Sequence, residues 1–155
     1  MPKPYAFNVS ATINAPIKDV FDVMNDLAQL DAWSPFVAMD KTIQSTVSTP
    51  AKGVGAVYGW TGKRIGMGTM TITASTKPNR IACDMVFNNN KTETALSEYL
   101  LTELDGATVV TWAMSGERGI GGWLMATVLG MDNMMKKNFA DGLSSLKKLV
   151  ESKQK

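Results

Sequence analysis

Few side chains in this sequence are equipped for acid–base, nucleophilic or metal chemistry. None of the 155 residues is histidine. Its absence removes the commonest general base and metal ligand, and it excludes Ser-His and Cys-His nucleophile pairs. Zinc and non-haem iron sites are disfavoured on the same ground, so neither a metal nor a cofactor is expected. Carboxylates remain. Asp84 and Glu98 fall in strand-like segments, and a carboxyl turned into an apolar interior would have a raised pKa and serve as an acid or a base. Asp84 sits among Ile81, Cys83, Met85 and Phe87, which carry the apolar parity, so it is expected to face solvent. The segment around Glu98 is mixed on both faces and leaves its direction open. Tyr58 and Tyr99 add phenols that an enzyme would need to turn inward. Cys83, the only cysteine, reads as a small buried hydrophobe and permits no internal disulfide. Arg118 suits either a ligand carboxylate at a cavity mouth or the plain surface. Gly66-Met67-Gly68 lacks the lysine and following helix of a phosphate loop. No catalytic set emerges.

The apolar residues carry the stronger signal. The chain is 45% hydrophobic and holds 11 methionines and 4 tryptophans. Methionine is unbranched and adaptable, which suits a cavity of variable shape as well as an irregular core. Trp33 and Trp60 are candidates for a cavity wall or for the core. Trp112 reads as core or sheet surface, and Trp123 as a residue near an entrance.

Residues 5–13 alternate as a half-buried strand, with Phe7, Val9, Ala11 and Ile13 on one face. Pro16 then suits the first position of a helix carrying Ile17, Val20, Phe21 and Met24. A second short helix covers about Leu27 to Leu30, and Pro35 makes its continuation improbable. Six strand-like runs follow: 39–47, 54–61, 66–75, 81–87, 93–104 and 108–115. Turn residues separate them, among them Lys77-Pro78-Asn79 and Asp105-Gly106. From Gly122 to Glu151 the period changes to that of a helix. Leu124, Val128, Met131, Met135, Phe139, Leu146 and Leu149 share one stripe, interrupted by Gly142. Glycine costs about 1 kcal/mol against alanine inside a helix, so Gly142 calls for a packing reason: close approach to the sheet, or space for a ligand. A seven-stranded antiparallel sheet with one long amphipathic helix must bury one sheet face on that helix.

The balance of 16 basic and 14 acidic residues argues against nucleic acid as a partner. The longest uncharged apolar stretch, residues 119–131, falls short of the ~20 needed to span a bilayer. The first residues lack the apolar core of a signal peptide. A cytoplasmic protein, monomeric or weakly dimeric, is the expectation.

The order and spacing of several motifs resemble the SRPBCC superfamily of START-like helix-grip proteins, especially its polyketide cyclase/dehydrase-like branch. They include Ala15-Pro16-Ile17-Lys18-Asp19-Val20-Phe21, Trp33-Ser34-Pro35, Gly53-Val54-Gly55-Ala56-Val57-Tyr58-Gly59-Trp60, Gly106-Ala107-Thr108-Val109-Val110-Thr111-Trp112 and Phe139-Ala140-Asp141-Gly142. The resemblance implies an α+β helix-grip fold in one domain spanning 1–155. It also implies a deep apolar cavity under the long helix that takes lipids, polyketides or aromatic compounds. The cavity wall is then expected from Tyr58, Trp60, Met70, Met85, Phe87 and Met114 on the sheet. Leu124, Val128, Met131, Met135 and Phe139 would face them from the helix, with Trp33 and Phe36 at one end. Binding or carriage of an apolar small molecule is the leading expectation. A cyclase, aromatase or dehydratase is the alternative, and a protein-interaction module the third.

Overall fold

The computed structural model describes residues 4–63, 66–88, 92–117 and 132–153. Strand β1 (Pro4–Ile13) leads into helix α1 (Ile17–Met24), a 3-10 helix (Leu27–Ala32) and helix α2 (Pro35–Met39). Strands β2 (Gln44–Val47), β3 (Val57–Gly62), β4 (Gly66–Thr76), β5 (Arg80–Asn88), β6 (Thr92–Leu104) and β7 (Ala107–Glu117) follow, and helix α3 (Asp132–Ser152) comes last. The strands form one seven-stranded antiparallel sheet in the order β1-β7-β6-β5-β4-β3-β2. This is the α+β helix-grip arrangement that the alternating runs and the final helical stripe predict.

Local chemistry explains each junction. Asp105 and Gly106 both take positive φ, 51° and 83°, which is the geometry of a two-residue hairpin whose twist matches the strands. The Asp26 carboxylate accepts from Ala28 N at 3.0 Å and caps the 3-10 helix. Ser34 does the same for α2, where its Oγ accepts from Phe36 N at 3.2 Å. Pro35 therefore starts a new helix at its first position rather than only ending the previous segment. This corrects two expectations. Three short helical segments follow β1, not two, and β2 has four residues because α2 and a turn occupy 35–43.

The described part of α3 buries Phe139, Gly142, Leu143, Leu146 and Val150 and exposes Lys137, Ala140, Asp141 and Ser144. That three-and-four spacing puts one face on the core. At its end, Lys147 Nζ donates to Thr12 O at 3.2 Å, and Asn14 N donates to Glu151 Oε2 at 2.8 Å. The helix is thereby tied to the close of β1. Bonding to Lys147 is the chief cause that holds the Glu151 carboxyl below its usual range.

Gly142 has a packing reason. A Cβ built there would lie 2.8 Å from Pro35 Cδ and 3.4 Å from Trp112 Cζ3. The bare backbone lets α3, α2 and the sheet meet. Gly142→Ala gains helix propensity of about 1 kcal/mol. It also forces a rigid proline ring aside, and such overpacking costs about 1–3 kcal/mol. The expected net loss is about 1 kcal/mol, or a Tm lower by about 2–4 °C for a chain of this size. A Tm at or above that of the parent would show that α2 yields freely.

Candidate functional site

The sheet's inner face presents a cross-strand row. Tyr58 on β3 stands opposite Met70 on β4, Met70 opposite Met85 on β5, and Met85 opposite Ala95 on β6. The strand period of two turns all four inward, and all are buried. Trp60, two residues beyond Tyr58, lies opposite Gly68. A Cβ on Gly68 would come within 2.5 Å of Trp60 Cζ2, so the indole lies over the glycine. Farther along, Tyr99 pairs with Trp112 across β6 and β7.

These residues line one side of a recess: Tyr58, Trp60, Met70, Met85, Tyr99 and Trp112. The segment between β1 and β2 closes the other side with Leu30, Ser34, Phe36 and Ile43. The recess offers about 20 Å³ to the centre of a water-sized sphere, room for one or two waters. Pockets for drug-sized ligands are more than tenfold larger, at ~300–1,000 Å³. The described lining is apolar, and its side chains nearly fill the recess.

An aromatic cluster stands behind. Trp112 stacks on Phe139 of α3 with ring centroids 3.9 Å apart and planes at 16°. Trp33 meets Trp112 and Tyr99 edge-on at 5.7 and 5.8 Å. Phe36 meets Phe139 edge-on at 6.0 Å. The Trp112 indole N–H donates to Ser97 Oγ at 2.9 Å, so this buried tryptophan is satisfied by a buried serine.

Polar groups are sparse. The Tyr58 hydroxyl donates to Asp31 Oδ1 at 2.5 Å, and Ser45 Oγ donates to Asp31 Oδ2 at 2.6 Å. Burial, followed by the Asp31 hydrogen bond and charge, pushes the Tyr58 phenol well above its ordinary value. Burial does the same for Tyr99, and it pushes the Cys83 thiol up to about 12. These groups stay protonated at neutral pH and are poor bases. Glu98 lies outside the recess, where Arg80 grips it through Nε and Nη2 at 3.0 and 2.8 Å. Asp84 is exposed, as its parity predicts. Among the described residues, no three His, Cys, Asp or Glu side chains cluster to hold a metal.

Sequence comparison fits this architecture. A family model described as polyketide cyclase / dehydrase and lipid transport matches residues 5–151. The chain belongs to that family. Polyketide cyclase-like proteins of this kind fall within the SRPBCC superfamily, and the solved structures agree. Protein CV1439 from Chromobacterium violaceum is 15% identical with a TM-score of 0.69, the match covering 94% of this chain and 96% of that one. Ara h 8.0201 is 14% identical with a TM-score of 0.68, covering 96% and 99%. A norcoclaurine synthase point mutant from Thalictrum flavum, bound to a transition-state analogue, is 9% identical with a TM-score of 0.72, covering 100% and 99%. At such identities the likeness is one of fold. No curated protein matches the sequence. Family membership supports ligand binding or a cyclase-type role. No helix among the described residues is long and apolar enough to cross a membrane.

Of the wall residues expected for this polyketide cyclase-like chain, the structure brings Phe36, Tyr58, Trp60, Met70 and Met85 together at the recess. Trp33, Met114 and Phe139 are buried in the core but do not line it. Arg118, Trp123, Leu124, Val128 and Met131 lie outside the described residues, as do the side chains of Phe87 and Met135. Sequence reasoning did not place Leu30, Ser34, Ile43, Tyr99 or Trp112 in the lining. Trp112 had a usable signal, since it shares strand parity with the buried Val110 and Met114 on β7, whereas Tyr99 lies on β6, whose two faces are both mixed.

Proposed function

We propose that this protein binds an apolar, ring-bearing small molecule in the recess between β3–β7 and α2. The observation that carries this reading is the row of Tyr58, Met70 and Met85 beside Trp60. Flat aromatic and flexible thioether side chains give affinity without demanding one shape. The small free volume means that a ligand enters by displacing side chains, and the two methionines are the easiest to move. Against a cyclase-type enzyme stands the lining itself, whose described residues include no group that changes protonation near neutral pH. Glu98, one candidate acid–base group for such an enzyme, is paired with Arg80 outside the recess.

Native mass spectrometry of the purified chain is expected to show one apolar adduct per molecule. Methylnaphthalene at 100 times its Kd is expected to stabilise the fold by about 2.7 kcal/mol, seen as a rise in Tm. Absence of both an adduct and a thermal shift would sink the proposal.

A further inference from the structure

The rim of the recess narrows the ligand class, an inference that rests on the binding function proposed above. At the Tyr58 end, both available hydroxyl hydrogens point at one carboxylate. Tyr58 spends its proton on Asp31 Oδ1, and Ser45 spends its own on Oδ2. A carboxylate offers about four acceptor positions, and these two hydroxyls occupy only two of them. What this end presents is therefore acceptor capacity and negative charge. Asp31 is exposed, while its chain neighbour Leu30 and nearby Ser34 line the recess, so the carboxylate stands where the recess meets solvent. Among the described residues, no lysine or arginine lines the recess.

We infer that the rim formed by Asp31, Tyr58 and Ser45 receives a hydrogen-bond donor, neutral or cationic, at one end of the apolar ring ligand. The same rim turns away ligands with a carboxylate head. A hydroxyl or ammonium group would fill an open acceptor position on Asp31 and lose none of its own hydrogen bonding. An anionic head would meet the like charge of Asp31, and no cation among the described lining residues offsets it. Hydroxylated or aminated ring compounds fit this end, and fatty acids do not.

Calorimetric titration of the full chain with four naphthalenes of matched size tests the inference: methylnaphthalene, naphthol, naphthylmethylamine and naphthoate. Naphthol and the amine are expected to bind about tenfold more tightly than methylnaphthalene, and naphthoate about tenfold more weakly. In Asp31→Asn the amine is expected to lose its advantage over methylnaphthalene and naphthoate its penalty. Naphthoate binding the parent protein as well as methylnaphthalene does would overturn the inference and leave the binding function standing. An unchanged order of affinities in Asp31→Asn would overturn the role given to Asp31. Failure of all four probes, methylnaphthalene included, would overturn the binding function and this inference with it.

Discussion

Gly68→Ala is expected to lower the free energy of unfolding by about 3 kcal/mol, the upper end of overpacking costs. The added Cβ would lie 2.4 Å from Val86 O and 2.5 Å from Trp60 Cζ2. An indole can swing away, but the carbonyl belongs to the ladder between β4 and β5 and moves only with the strand. Relief therefore requires both a lost ladder contact and a displaced Trp60, which is one wall of the recess. Urea denaturation checks the stability, and a change in tryptophan emission checks the displacement. Parental stability would mean that the indole does not rest on Gly68.

Trp112→Ala is expected to cost about 3–5 kcal/mol, the range for truncating a buried tryptophan. The side chain is 3% exposed. It stacks on Phe139, meets Trp33 and Tyr99 edge-on, and donates to Ser97. Removal takes all four contacts and leaves Ser97 without its indole donor. Against a total stability of ~5–15 kcal/mol, the variant should be folded but fragile. The vacated indole volume adjoins the recess, so the same variant should bind naphthalene-sized probes more tightly than the parent, which calorimetry would measure. Unchanged affinity alongside the stability loss would show that the cavity collapses rather than joining the recess.

The sequence made the sheet legible where its strands alternate cleanly. Cys83 and Asp84 illustrate this, with one buried and the other exposed, as their parity required. The β6–β7 hairpin was legible from Asp105-Gly106, a pair that tolerates the positive φ both residues adopt in the tight turn. α2 was not, because Pro35 carries two opposite signals: it ends the segment before it and favours the first turn of the segment after it. Only Ser34 acting as a cap decided between them. Glu98 was ambiguous because β6 turns Leu96 and Leu100 outward and Ser97 inward. An inward serine makes sense only once the Trp112 indole is found reaching across from β7. The site was half legible for a related reason. Period fixes which face a side chain occupies, and Met70, Met85 and Trp60 are buried on the inner face as their alternation requires. It does not say how far along a curved sheet the gap lies, and Met114, on the inner face of β7, is buried without lining the recess. Asp31 escaped notice because its role depends on Tyr58, 27 positions away in the chain.

The strand order has a consequence for how the molecule is made. Every strand neighbours the next in sequence except β1, whose sole partner in the sheet is β7. About ninety residues separate Ile13 from Ala107, where that partner begins. During synthesis at about 5–20 residues per second, β1 leaves the ribosome some ~5–20 s before its partner exists. It must wait as an unpaired amphipathic segment while the meander from β2 to β6 assembles. The closing contacts Lys147–Thr12 and Glu151–Asn14 come later still, supplied by the last turns of α3. β1 is thus held in place by elements translated well after it, and a nascent chain stalled before β7 would display β1 to whatever chaperone or neighbour is at hand.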